Sequence, residues 1–130
     1  MIECEFVGKD LLVERYSGKI SLPDIFELKN FEFEHELFRN VSKILVILKD
    51  SQFEVVPLSD MVTDYLACMN GKEGNRKIAV LVSLPMQVAQ CELMMKSLDQ
   101  LGIKPNAKIF LSKKEACEWL EIPESIVSEE

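Results

Sequence analysis

Two short and almost wholly apolar segments, Lys43–Lys49 (KILVILK) and Lys77–Ser83 (KIAVLVS), constrain the fold of this chain more than any other feature. Continuous runs of β-branched and aliphatic residues between polar ends are typical of strands covered on both faces, as in parallel sheets. Segments with helical patterns follow both runs, and strands that alternate with helices indicate right-handed crossovers. The pattern therefore predicts an α/β protein with a mostly parallel sheet.

Further strands are predicted on either side of these two runs. Asp10–Tyr16 (DLLVERY) mixes β-branched and aromatic residues and ends at a Ser17-Gly18 turn, which predicts a strand that pairs with Ile2–Val7 in a hairpin and adds antiparallel pairing at one edge. Ala107–Leu111 is a short final strand. We therefore expect a single domain with a mixed, mostly parallel sheet of four or five strands and about four helices.

Serine precedes every predicted helix, and a serine hydroxyl is a good acceptor for the free N–H groups of a helix start. The four serines are Ser21, Ser59, Ser83 and Ser112. Asp24 and Glu115 follow their serines by three residues, the spacing of a capping box. The first helix is predicted to reach about Leu37, the third to stop at Gly102 and the fourth to stop at Pro123.

The length of 130 residues fits one domain, which we place at residues 1–121, with an acidic and frayed tail at 122–130. Asp and Glu total 22 against 15 Lys and Arg, a net charge of −7, which argues against a nucleic-acid partner or an anionic membrane surface. The chain shows neither a signal peptide nor an apolar stretch long enough to span a membrane. We expect a cytoplasmic protein.

Few residues offer catalytic or metal-binding chemistry. There is one histidine, and none of the four cysteines is part of a CxxC pair. His35 lies among glutamates and is predicted to be solvated on a helix face, while Cys91 and Cys117 are predicted to be small buried apolar residues. The glycine-rich segment Gly71–Lys77 follows a helix and enters a strand, the reverse of a phosphate-binding loop. We therefore expect no enzyme activity, no metal site and no cofactor.

Several segments resemble the SpoIIAA-like or STAS superfamily, in particular its branch of small stand-alone bacterial proteins. They are Tyr16–Ile20 (YSGKI) before a helix, Ile44–Asp50, Lys77–Val80 and Ile109–Leu120 (IFLSKKEACEWL). The resemblance spans about residues 10–121. It implies a SpoIIAA-like fold and a non-catalytic regulatory domain that acts by docking to another protein.

The better-known members of that superfamily are switched by phosphorylation of a serine at the start of the helix after the central strand. By position, the resemblance places this phosphosite at Ser59, although Pro57–Asp60 (PLSD) lacks the Asp-Ser-Ser-Gly character of the family. A phosphate would be stabilised there by the helix N-terminus. The alternative is that Ser59 is an ordinary N-cap, and the neighbouring Asp60 favours that interpretation.

Asp50 and Ser51 end the central strand on its carboxyl side, where open α/β sheets usually bind ligands. They are candidates for a ligand or partner edge, and the alternative is a local turn. In the helix after Pro85, Met86, Ala89 and Leu93 form a second apolar stripe opposite the core stripe. This stripe is a candidate interface with a protein partner or a second copy of the chain, unless another helix covers it internally.

Three functions remain open at this point. The first is a protein-docking domain, whose partner the sequence does not name and which includes the case of a homodimer. The second is a carrier of an apolar, lipid-like ligand, because the superfamily is similar to CRAL-TRIO domains. The third is an enzyme with an unrecognised site. A cavity of several hundred Å³ beneath the helices would favour the carrier, since ligand sites have that size.

Overall fold

A computed structural model of the chain describes residues 1–53, 76–100, 102 and 106–127. The strands are β1 Ile2–Val7, β2 Leu11–Tyr16, β3 Lys19–Ile20, β4 Lys43–Ile47, β5 Gln52–Phe53, β6 Lys77–Leu81 and β7 Ala107–Phe110. The α-helices are α1 Leu22–Glu34, α2 Pro85–Gln100 and α3 Lys113–Leu120, and 3₁₀ helices cover Glu36–Asn40 and Glu124–Ile126. The predicted helix after Ser59 and most of the Gly71–Lys77 loop lie outside the described residues.

The five long strands form one sheet in the order β1-β2-β4-β6-β7. β1 and β2 are an antiparallel hairpin, and every other pair in this sheet is parallel. The prediction of a single mixed and mostly parallel α/β sheet is therefore confirmed. The two short strands β3 and β5, which were not predicted, pair in parallel outside the main sheet, and Gln52 N donates to Gly18 O over 2.8 Å.

Strand alternation sends side chains to two faces of the sheet, and each face is covered by helices. One buried cluster joins residues of β2, β4, β6 and β7 to α3: Leu11, Val13, Leu45, Ala79, Phe110, Ala116 and Leu120. The opposite face carries Leu12, Tyr16, Ile44 and Val82, and α1 and α2 pack there through Leu28, Val88 and Cys91. The sheet is thus the middle layer of three.

The first helix begins as predicted but ends earlier. Ser21 and Asp24 form a complete capping box, with Asp24 N donating to Ser21 Oγ and Ser21 N donating to Asp24 Oδ2. The backbone of His35 is extended, with ψ 133°, so α1 stops at Glu34 and a 3₁₀ helix follows. The prediction that α1 reaches about Leu37 was therefore wrong, because His35 Nδ1 accepts from Leu37 N and starts a new helical turn.

The prediction of a solvated His35 was also wrong. Its ring is half-buried and stacks on Phe6 of β1, with ring centroids 4.4 Å apart. The stacking on Phe6 shields one face of the imidazole from solvent, and the hydrogen bond from Leu37 N to Nδ1 fixes the orientation of the ring.

The acidic tail differs from the frayed segment that was predicted. Residues 122–127 fold back onto α3, where Val127 is buried and Ile122 packs against the same cluster. Lys113 Nζ donates to Val127 O over 2.8 Å. Glu121 and Glu124 stay exposed while the apolar side chains at these two positions pack inward, so this part of the tail packs with the domain.

Candidate functional site

The carboxyl ends of the parallel strands form one edge of the sheet, and the turn after β4 lies there. Lys49 adopts a positive φ of 43°, which lets Ser51 N donate to Leu48 O over 2.8 Å. Asp50 is exposed at the tip of this turn, whereas Ser51 is buried. The Ser51 hydroxyl has no hydrogen-bond partner among the described residues. The two candidate residues therefore point to different environments, Asp50 to solvent and Ser51 to the interior.

Gln87, a residue that the sequence did not single out, links this turn to α2. Its side chain is buried, and Nε2 donates to the carbonyls of Lys49 and Ser51 over 3.0 Å each. Its Oε1 accepts from Ser83 N at 2.9 Å and from Leu84 N at 3.2 Å. One amide group therefore satisfies four backbone groups from two segments, and it fixes where α2 begins relative to β4.

The start of α2 corrects the prediction of a serine cap at position 83. The helix begins at Pro85, so Leu84 occupies the N-cap position and has no side-chain oxygen to offer. Gln87 is the third helical residue, and its side chain accepts the Leu84 amide as the Asp24 side chain does for Ser21 in α1. A glutamine at this position is one half of a capping box, which is the sequence signal that could have identified it.

The exposed face of α2 is apolar at three positions. Met86 and Leu93 are 59% and 53% exposed, and Ala89 between them is also exposed. Val88 and Cys91, on the other side of the helix, pack into the core. We call Met86, Ala89 and Leu93 the α2 apolar face. Leu84, immediately before the helix, adds a side chain that is 37% exposed.

The three cysteines among the described residues, Cys4, Cys91 and Cys117, lie in surroundings that keep their thiols protonated. Burial and the neighbouring Glu92 carboxylate raise the pKa of the Cys91 thiol to about 11, so the thiol stays protonated at neutral pH. Burial also raises the pKa of Cys4 and that of Cys117. Within the described ranges, no group of three His, Cys, Asp or Glu residues is arranged to hold a metal ion.

Two surface clefts of about 440 and 420 Å³ lie near the amino ends of the parallel strands. The first is lined by Phe6, Gly8, Lys9, Asp10, Leu11, Leu37, Asn40 and Val41. The second is lined by Phe33, Glu34, His35, Glu36, Phe38, Arg39 and Arg76. Both contain charged side chains, and Arg76 already donates to the carbonyls of Val41 and Phe38. Neither cleft resembles the closed apolar cavity that a lipid carrier needs.

A buried charged cluster lies between α1 and the β1–β2 hairpin, and the sequence did not predict it. Glu14 of β2 and Glu32 of α1 are both fully buried. Lys29 Nζ is 2.8 Å from Glu14 Oε2 and 3.4 Å from Glu32 Oε1, and the Tyr16 hydroxyl donates to Glu14 Oε1 over 2.9 Å. We call Glu14, Tyr16, Lys29 and Glu32 the α1 acid cluster.

The two carboxyls of the α1 acid cluster have opposite pKa shifts. Burial raises the pKa of Glu32 to about 9, and the Glu14 carboxylate adds to this effect while Lys29 opposes it. Burial acts in the same direction on Glu14, but the Lys29 ammonium together with hydrogen bonds from Glu32, Lys29 and Tyr16 outweighs it and lowers the Glu14 pKa. Tyr16 has a pKa well above its ordinary value because of burial and the Glu14 charge.

No helix among the described residues combines the length and the apolar character needed to cross a membrane. No family model matches the chain, and no curated protein matches it in sequence.

Solved structures do match. The unphosphorylated form of the anti-sigma factor antagonist SpoIIAA aligns with a TM-score of 0.60 at 15% identity, covering 93% of this chain and 98% of that chain. The phosphorylated form of the Bacillus cell fate determinant SpoIIAA aligns with a TM-score of 0.57 at 16% identity, covering 92% of this chain and 99% of that chain. An uncharacterized protein of the DUF3478 family from Shewanella loihica PV-4, with a SpoIIAA-like fold, aligns with a TM-score of 0.58 at 20% identity, covering 92% of each chain. The chain therefore has a SpoIIAA-like fold.

Proposed function

We propose that this chain is a non-catalytic interaction domain that docks a protein partner through the α2 apolar face. The observation that carries the proposal is the exposure of Met86 and Leu93 on a helix whose start is held by Gln87. Apolar side chains placed on a rigid, well-positioned helix are typical of a helix face that packs against another protein. The likeness to SpoIIAA, an anti-sigma factor antagonist, supports a role in regulation by docking.

The experiment replaces two side chains of this face, Met86→Asp and Leu93→Asp, in one variant. Because both are exposed, the free energy of unfolding should change by less than about 1 kcal/mol, as for most surface substitutions. Association should be lost, because a carboxylate in the centre of an apolar interface must be desolvated. A photo-reactive amino acid incorporated at position 93 should cross-link the partner in cells of the source organism. Mass spectrometry of the cross-linked band then identifies that partner.

The matched control is Leu37→Asp, which places the same charge on another exposed leucine, 45% exposed, in the 3₁₀ helix after α1. This variant should keep the association. Sedimentation velocity separates a second copy of the chain from a different partner, since only a homodimer changes the mass of the purified protein. If the double variant binds its partner as well as the unmodified chain does, the α2 apolar face is not the docking surface.

Phosphorylation of Ser59 is a further part of this proposal. Ser59 lies outside the described residues, so the proposal is based on the resemblance and on the presence of a phosphorylated form of SpoIIAA among the similar structures. Intact-mass measurement of the protein from its own host should show a phosphate adduct that Ser59→Ala removes. An adduct that persists in this variant would assign the modification to another residue.

The described residues give less support to the other two functions, the carrier of an apolar ligand and the enzyme. A carrier of an apolar ligand needs an enclosed cavity, and both clefts of the described structure are open and partly charged. An enzyme at Asp50 needs convergent polar groups, whereas the neighbouring Ser51 is turned into the interior. Of the three functions we therefore propose docking to a protein. We also propose that the protein is cytoplasmic, and compartment fractionation tests this location.

A further inference from the structure

Among the described residues, the α1 acid cluster contains two carboxyl groups and one cation in a buried interface. Lys29 is the ammonium between them, while the Tyr16 hydroxyl and the Cys4 thiol of β1 are neutral groups beside them. If both carboxyls were ionised, the cluster would hold one uncompensated negative charge out of contact with water, which is costly. One bound proton makes the cluster neutral.

The hydrogen bonds indicate which carboxyl holds the proton. Glu14 accepts from the Tyr16 hydroxyl and from Lys29 Nζ, so its charge is well stabilised. Glu32 is less well stabilised: the Lys29 ammonium is 3.4 Å from Oε1, and neither carboxyl oxygen accepts a well-aligned hydrogen bond from the described residues. A proton on Glu32 turns one of these oxygens into a donor, and the Glu14 carboxylate is the acceptor beside it.

We propose that α1 docks on the sheet by taking up one proton, which is shared between Glu32 and Glu14, so that this helix is a proton-linked element of the fold. The groups that face Glu32 are Cys4 from β1, Glu14 from β2 and Lys29 from α1 itself. The proposal is independent of the α2 apolar face, which lies on another helix.

The sign of the linkage follows from the two states of Glu32. In the unfolded chain this carboxyl has its ordinary pKa of 4.5, and in the folded chain its pKa is about 9. Between these values the folded protein holds a proton that the unfolded protein has released. The folding constant therefore falls by about tenfold for each unit of pH increase between these two values. Below pH 4.5 the protonated Glu32 makes its full contribution to stability. The range between the two pKa values includes neutral pH.

Urea unfolding at pH 6 and pH 8 tests the proposal with Glu32→Gln, whose amide donates a hydrogen bond but binds no proton. We expect the folding constant of the unmodified chain to drop by about 100-fold more than that of the variant over these two units. Comparison with the variant removes the contributions of the other ionisable groups. The matched control Glu34→Gln neutralises an exposed carboxylate two residues away and should keep the full pH dependence.

A direct measurement keeps the proposal testable if Glu32→Gln fails to fold. The side-chain carboxyl carbon of Glu32, followed by nuclear magnetic resonance in the unmodified protein, should keep the shift of a protonated acid at pH 7 and titrate near pH 9. A carboxyl that titrates in the ordinary glutamate range would overturn the proposal, and so would an equal pH dependence in Glu32→Gln and the unmodified chain.

Discussion

Replacing Gln87 by methionine should destabilise the protein by about 3 kcal/mol. The two side chains are similar in length and volume, so Gln87→Met keeps the packing of this buried position and removes its polar group. Four backbone groups lose their partner: the carbonyls of Lys49 and Ser51 and the amides of Ser83 and Leu84. The Gln87 side chain connects α2 to the turn after β4, so both segments should become less stable.

The magnitude follows from how well water can replace each bond. The bond from Gln87 to Ser51 O is buried, and leaving a buried carbonyl without a donor costs about 1–3 kcal/mol. The other three bonds are partly accessible, so water can take their place and each costs about 0.5 kcal/mol. The sum is about 2.5–4.5 kcal/mol, and the value of about 3 kcal/mol lies in its lower half.

Urea unfolding at constant pH measures this change as a lower midpoint with an unchanged m-value. Hydrogen exchange adds a local measurement, because the Ser51 amide should exchange faster once the turn loses its link to α2. The control is Gln90→Met, which removes the same group from an exposed position of the same helix and should change stability by less than about 0.5 kcal/mol. A loss below about 1 kcal/mol in Gln87→Met would refute the assignment of Gln87 as the structural link.

Three further predictions concern stability and are checked by the same urea titration. Ser21→Ala removes the hydroxyl of a complete capping box and should cost about 1 kcal/mol; no loss would mean that Asp24 alone caps α1. Lys29→Met leaves Glu14 and Glu32 without their cation and should cost about 3–5 kcal/mol at neutral pH, with recovery in acid. Leu120→Ala opens a cavity in the fully buried cluster under α3 and should cost about 3 kcal/mol, and a smaller loss would indicate that the tail closes the gap.

The sheet was predictable because its signals are local. Lys43–Ile47 and Lys77–Leu81 are continuous apolar strands, and the hairpin strand Leu11–Tyr16 carries β-branched and aromatic residues and ends at a Ser17-Gly18 turn. The two short strands β3 and β5 were missed because two residues carry no periodic signal. Their pairing depends on Gly18 and Gln52 being brought together by the rest of the chain.

The α1 acid cluster could not be predicted because its members are joined by strand register and helix packing. Glu14 and Lys29 are 15 residues apart and come together only when α1 lies on the hairpin. A charged residue in the middle of a strand whose neighbours Leu12 and Tyr16 face the core is the one local signal. Met86 and Leu93, by contrast, were found from helical spacing alone, because both lie on one helix.

The outer strands restrict how a partner can attach. In the described chain the sheet ends at β1 and β7, whose outward edges could template the addition of another strand and lead to aggregation. β1 carries exposed Glu3 and Glu5, and β7 is four residues long with an exposed lysine at position 108. Charges and short length are the usual protection against such strand addition. Edges of this kind disfavour β-augmentation; under the proposed docking function, the partner is therefore expected to present a side-chain surface and not an extended peptide.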